Sequence, residues 1–175
     1  MNERKRRISE SVQENRGRAA RPEFIQRLSI LLRREFDDSS FADYETTEEL
    51  RRLIGEGYES GKDPREPGFA RYFSSAEEGY VFSLVACLGT KINGAPAFAL
   101  FRESELCGAV AMEATEALGS IRSLIDVDGD GVSVITADRR DGLILDFNPD
   151  DEATCYELVI WGESWPILLL PCLSL

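Results

Sequence analysis

Thr154-Cys155-Tyr156-Glu157-Leu158-Val159-Ile160-Trp161 is the stretch on which the fold turns. Successive side chains of a strand point to opposite faces, so Tyr156, Leu158 and Ile160 share one face. Cys155, Glu157, Val159 and Trp161 share the other. Short segments of the same texture precede it at Leu143–Phe147, Val132–Thr136 and Arg122–Val127. Turn chemistry separates them: Asp141-Gly142, and Asn148-Pro149-Asp150-Asp151 with proline at the second position of a type I turn.

Further upstream, Tyr80–Leu88 is β-branched and aromatic and reads as a strand. Asn93-Gly94 then gives a strong hairpin signal, because both turn positions need positive φ. The return strand is Ala97–Phe101, and Pro96 at its start points to an edge or an irregular opening. Ser104–Leu118 is rich in Ala, Glu, Met and Leu, with Gly119 just past it, which predicts an inserted helix.

Two more helices are expected before the sheet. Pro22 suits a first turn, and Phe24, Leu28, Leu31 and Leu32 at helical spacing predict a helix over 22–36. Thr46 followed by Glu49 forms a capping-box pattern, with Leu50, Leu53 and Ile54 as the apolar face behind it. Gly55, Gly57 and Gly61 mark its fraying end, and 60–78 reads as a long surface connection. The expectation is an α+β fold: an antiparallel sheet of five or six strands, with two N-terminal helices and one inserted helix packed on one face. Residues 1–20, Arg-rich and nearly without apolar content, read as a disordered basic arm, and 21–175 as a single domain.

Composition sets the class. The chain of 175 residues is 43% hydrophobic and 30% charged, near globular averages. No apolar run approaches the ~20 residues that span a bilayer, and no apolar segment follows Arg4-Lys5-Arg6-Arg7 to complete a secretory signal. The expected address is cytoplasmic. Cys87, Cys107, Cys155 and Cys172 are widely spaced singles, read as buried apolar fillers, and with no histidine a zinc site would need all four.

Charge is divided unevenly. Residues 1–34 hold ten Lys/Arg and four Glu, whereas 35–175 hold ten Lys/Arg and twenty-eight Asp/Glu, so a basic arm precedes an anionic body. Such a body repels nucleic acid and anionic membrane and favours a basic protein partner. Nucleic acid is left only the arm, which has no aromatic residue for base stacking.

No motif supplies catalysis. Asp126-Val127-Asp128-Gly129-Asp130-Gly131 matches the opening of a calcium loop, with Asp126, Asp128 and Asp130 as metal ligands. The twelfth position is Ala137 instead of a bidentate glutamate, so only weak calcium or magnesium binding is expected, and no other cofactor. Gly55–Lys62 misses the phosphate-loop spacing by one residue and is flanked by acids. Without histidine, a catalytic role would fall to carboxylate pairs, to a cysteine, or to Lys5, Lys62 or Lys91, which read as exposed.

Trp161-Gly162-Glu163-Ser164-Trp165-Pro166 and the apolar end from Ile167 to Leu175 close the chain. Tryptophan beside acids suits a binding face, and a homodimer through the apolar end is a further expectation. The sequence therefore points to a non-catalytic acidic protein–protein interaction domain with Asp150, Asp151, Glu152, Tyr156, Trp161, Glu163 and Trp165 as partner-binding residues. By charge and size, and by no matched motif, this is the profile of immunity-type proteins that neutralise a basic toxin. The alternatives are a carboxylate-dependent hydrolase or lyase, and a weak divalent-cation module.

Overall fold

The Tyr156 alternation is realised in a strand that lies next to one edge of a six-stranded sheet. The computed structural model describes residues 3–174; the side chains of 3–11, 13–15, 18, 128 and 174 lie outside that description. The strands are β1 (Gly68–Phe73), β2 (Pro96–Leu100), β3 (Val110–Glu113), β4 (Gly131–Thr136), β5 (Asp141–Phe147) and β6 (Tyr156–Gly162). Their order is β1-β6-β5-β4-β2-β3, and every pairing is antiparallel. The helices are α1 (Glu3–Leu32), α2 (Tyr44–Lys62), α3 (Glu78–Lys91), α4 (Ser104–Cys107), α5 (Ala114–Gly119), α6 (Ile121–Asp128) and α7 (Trp165–Leu169). The α+β class with an antiparallel sheet stands.

The helices do not share one face. Tyr156, Leu158 and Ile160 enter the main core with Leu143, Leu145, Val132 and Val134, covered by Phe24 and Leu28 of α1, Leu84 and Leu88 of α3, Leu124 of α6 and Leu169 of α7. The reverse face carries Trp161, Ile144, Ile135 and Leu100 and packs against Leu50, Leu53, Ile54 and Tyr58 of α2. The alternation in β6 is apolar on both sides because both sides are covered.

Trp161 explains one glycine of α2 and one of β5. A Cβ at Gly57 would stand 2.1 Å from the Trp161 indole, and one at Gly142 of β5 would stand equally close. The ring lies clamped between a helix backbone and a strand backbone. Gly57 does not mark a fraying end, as the sequence suggested; with Gly61, whose Cβ would stand 2.6 Å from Val159, it lets the helix approach the sheet. α2 starts earlier too, with the Asp43 carboxylate accepting from the Thr46 N–H at 2.7 Å as the N-cap.

Several expected elements differ. Tyr80–Leu88 is helix, because Val81, Leu84, Val85 and Leu88 are buried at spacings of three and four. Arg122–Val127 belongs to α6, where Ile121, Leu124 and Ile125 make the same stripe and Gly129 at φ 74° caps it. Ser104–Leu118 divides into α4, β3 and α5. Asn93-Gly94 joins α3 to β2 rather than turning a hairpin. β2 runs inside the sheet, and Pro96 is tolerated as its first residue, where the missing donor costs no ladder bond. Asp141-Gly142 opens β5, and the turn before it contains Arg139 at φ 67°. Within 60–78, read as connection, lies β1.

Two of the four cysteines are bonded: a disulfide joins Cys87 of α3 to Cys172, with Cα atoms 6.0 Å apart. Cys107 and Cys155 are free and buried, as expected of fillers. The apolar chain end docks on its own domain through Trp165, Leu169 and Cys172, while Ile167 and Leu170 stay exposed. At the other terminus α1 begins within the basic segment and is anchored by Arg21 on the Cys107 carbonyl at 2.8 Å and by Arg27 on Glu103 at 2.8 Å. Among the described residues no helix is long and apolar enough to cross a membrane.

Candidate functional site

Register brings acids together that the sequence keeps apart. Asp146 pairs with Gly131 on one side and Glu157 on the other, and Phe147 with Tyr156, which in turn pairs with Phe73. The start of β4, the end of β5, the start of β6 and the end of β1 therefore share one end of the sheet. Three connections meet there: α6 into β4 with Asp126 and Asp130, β5 into β6 with Asp150, Asp151 and Glu152, and β1 into α3 with Glu77 and Glu78. The Ser75 N–H donates to the Glu152 carbonyl at 3.0 Å and ties two of these connections together. Asp151 organises its loop, accepting from the Ala153 and Thr154 amides at 3.0 and 3.2 Å and from the Thr154 hydroxyl at 2.7 Å. The Thr154 hydroxyl and these amides hold its carboxyl below the usual range.

Beside this end a groove of about 370 Å³ opens between α2 and the sheet. Ile54, Leu100 and Val132 give it apolar lining, and Asp130, Asp146, Arg51 and Arg102 give it charge. Partial desolvation, then the charges of Glu157 and Asp130, hold the Asp146 carboxyl above its ordinary value although the residue as a whole is exposed.

Glu157, behind Asp146, is a different kind of acid. The Tyr58 hydroxyl donates to its Oε2 at 2.9 Å, and Lys62 lies 2.5 Å from its Oε1. Oε1 has no well-aligned hydrogen bond, and the adjacent ammonium balances its charge instead. Burial pushes the carboxyl up, but the bonds from Lys62, Tyr72 and Tyr58 prevail and hold it below the usual range. Lys62, read as exposed, is the last residue of α2 and part-buried. Burial opposes its charge, yet Glu157 and Tyr58 hold its pKa above the ordinary value. That ammonium is committed to structure, not poised as a nucleophile.

The other cations at this end are taken as well. Arg71 pairs with Glu77 at 2.9 Å, Arg122 with Glu78 at 3.1 Å and Arg51 with Glu105 at 2.6 Å. Among the described residues no cation lies within ion-pair range of Asp126, Asp130, Asp146, Asp150 or Glu152. Asp126 also sits in the last turn of α6, where the helix dipole disfavours an anion.

The sequence-selected residues separate into three groups. Asp150, Asp151 and Glu152 are exposed at the acidic end. Glu163 lies at the opposite end, beyond the Asp141–Gly162 pair and 3.7 Å from Arg140. Tyr156, Trp161 and Trp165 are buried and offer no surface: Tyr156 stacks on Phe147 at 5.1 Å, and the Trp165 amide donates to Asp141 Oδ1 at 2.9 Å. Of the metal residues, Asp126 and Asp130 flank a helix end, and the side chain of Asp128 lies outside the described ones. Among the described residues no group of three His, Cys, Asp or Glu could hold a metal ion. Asp146 was missed by the sequence reading, although strand alternation already sets it on the face of Ile144 and not of Leu145. Burial pushes the Cys107 thiol up to about 11 and also raises Cys155, so neither is a thiolate at neutral pH.

Compared with known proteins, the chain matches no protein-family model, no curated protein and no solved structure.

The raised Asp146 has a stability consequence with a definite sign. A carboxyl whose folded pKa lies above its unfolded value destabilises the fold once it ionises, so stability falls as pH rises from the unfolded value through the folded one. Asp146→Asn is expected to raise the melting temperature slightly at pH 7, by about 0.5 kcal/mol or less after solvent screening, and to be neutral below the unfolded pKa. Melting curves at pH 7 and pH 3.5 check this; a destabilised variant at pH 7 would mean that Asp146 has a cation partner.

Proposed function

We propose that this chain is a non-catalytic acidic protein–protein interaction domain that holds a basic partner against the carboxylate-rich end of its sheet, in the manner of an immunity-type protein. One observation carries the reading: Asp126, Asp130, Asp146, Asp150 and Glu152 gather at that end, and no ion pair among the described residues joins any of them to a cation. Like charges held together cost stability, and a cationic partner relieves that cost. Such charges steer association and make it salt-dependent. The cytoplasmic address belongs to this proposal, and nucleic acid would be repelled from the same end.

The experiment is capture from a lysate of the source cells on the immobilised full chain. The wild type is expected to retain a basic protein at low salt and to release it between about 0.1 and 0.5 M NaCl, where the Debye length shrinks from about 10 Å to about 4 Å. The variant D130N/D146N/D150N/E152Q is expected to retain none. Absence of any basic protein at low salt, or equal retention by the variant, sinks the reading.

A second reading, a carboxylate-dependent hydrolase or lyase, is favoured by the raised Asp146 beside Asp130 in a groove. It requires a turnover that D146N removes. The weak calcium or magnesium reading at Asp126, Asp128 and Asp130 requires heat in a calorimetric titration with millimolar calcium.

A further inference from the structure

Asn93-Gly94 turns no hairpin, and its chemistry is left over. The pair lies in the link of residues 92–95 between α3 and β2, and both residues are exposed. Ile92 anchors one end of this link in the core; at the other, the Ala95 carbonyl accepts from the Ala114 N–H at 2.9 Å. Among the described residues no hydrogen bond engages the Asn93 carboxamide or the Gly94 N–H. The nearest group to a Cβ built on Gly94 is the Glu113 carboxylate at 3.2 Å, so only the end of a flexible side chain stands over that residue. The other asparagines are placed differently. Asn148 precedes Pro149, which has no N–H, and Asn15 lies inside α1, where the next N–H belongs to the helix ladder. Asn2 lies outside the described residues.

We propose that Asn93 is a site of self-modification, at which the Gly94 nitrogen attacks the side-chain amide and asparagine becomes isoaspartate and aspartate. Water is the only co-reactant, and nothing is oxidised or reduced. Hydroxide takes the Gly94 N–H proton, and the nitrogen bonds to Asn93 Cγ. The Cγ–Nδ2 bond then breaks; the nitrogen leaves as ammonia with a proton from water, which regenerates the hydroxide. Water opens the five-membered succinimide at either carbonyl. Opening at Cγ restores the chain as aspartate, whereas opening at the main-chain carbonyl leaves it running through Cγ as isoaspartate. Glycine permits the attack because it has no side chain to crowd the nitrogen and leaves the backbone free to turn.

The fold gives this change a consequence. Isoaspartate adds one methylene to the main chain of a short link whose two ends are fixed. Either product also adds a carboxylate, ionised at neutral pH, on the link that Glu113 already faces. The converted chain is expected to melt about 2–4 °C below the unconverted one. Asn93 lies at the end of the sheet away from the acidic one, because the Ala137 N–H, just past β4, donates to the Pro96 carbonyl at 2.8 Å. Conversion and capture of a basic partner are therefore tested independently.

The full chain and the free peptide Lys91–Pro96, capped at both ends, are aged side by side in neutral buffer. Peptide mapping follows the new charge, and a protein isoaspartyl methyltransferase labels the isoaspartate. Native Asn93 is expected to convert at no less than about one-tenth of the peptide's rate, faster at pH 9 than at pH 7, with isoaspartate among the products. Gly94→Ala, at a φ outside the left-handed region, keeps the fold and is expected to convert at least about tenfold more slowly. Asn93→Gln, which needs a six-membered ring, is expected to stay unchanged over the same time. Native conversion slower than about one-tenth of the peptide's rate means that the fold protects the site, and it overturns the proposal. So does a G94A chain that converts as fast as wild type, or a product that contains no isoaspartate.

Discussion

Gly57→Ala is expected to lower stability by about 3 kcal/mol, although alanine is the better helix former by about 1 kcal/mol. The added methyl would stand 2.1 Å from the Trp161 indole, and the ring cannot retreat, because Gly142 of β5 meets its other side just as closely. Relief requires either a shift of α2 away from the sheet or a new rotamer for a tryptophan with 6% of its surface exposed. Gly55, two residues earlier in the same helix, is the internal control: nothing lies within 4 Å of a Cβ there. Gly55→Ala is therefore expected to stabilise by about 1 kcal/mol, the ordinary propensity gain. For a chain of this length, thermal melts should show G55A about 2–4 °C above wild type and G57A roughly 6–12 °C below. If both substitutions shift the melt the same way, Trp161 is not clamped, and α2 does not cover the reverse face as described. The consequence reaches the groove, because Arg51 and Ile54 on its α2 wall move with the helix.

What could be read from the sequence depended on whether the signal was local. β4, β5 and β6 were legible because alternation and β-branching agree there, and the proline turn after β5 is short-range chemistry, whereas the cap of α2 was placed at Thr46 and lies at Asp43. Tyr80–Leu88 failed because valine, phenylalanine and tyrosine favour strands while the spacing of Val81, Leu84, Val85 and Leu88 favours a helix; packing on the sheet decides, and period outweighs propensity. The glycines of α2 were misread for a related reason. The cause of Gly57 is Trp161 and that of Gly61 is Val159, both some hundred residues later in the chain, which no window contains. The acidic end was half legible: Asp150, Asp151 and Glu152 are contiguous, but Asp130 and Asp146 become neighbours only through the β4–β5 register. The tryptophans were read as contact residues from their composition, whereas burial assigns both to the core.

The charge division read from composition gains a location. At the far end of the sheet two carboxylates have cations beside them: Glu49 takes both guanidinium nitrogens of Arg139 at 2.8 Å, and Glu163 lies 3.7 Å from Arg140.

Loss of the Cys87–Cys172 bond is expected to have the other large effect. The two cysteines are 85 positions apart, and a cross-link closing a loop of that length stabilises by about 4–5 kcal/mol if its effect is chain entropy alone, within a measured range of about 2–5. Cys172→Ser, or reductant on the wild type, should lower the melting temperature by about 10 °C. The native fold is expected to survive, because Trp165 and Leu169 hold the chain end in the core independently of the bond. Thiol counting makes the test direct. Denatured without reductant, the protein should titrate only Cys107 and Cys155, and after reduction all four. The same count on protein alkylated inside source cells decides the address. Cytosolic thiol pools keep such pairs reduced, whereas oxidising compartments preserve them. Four reactive thiols in quenched cells would place the working protein in a reducing compartment, with its C-terminus held by packing alone. Two would remove the cytoplasmic address and require the basic partner to be sought where disulfides persist.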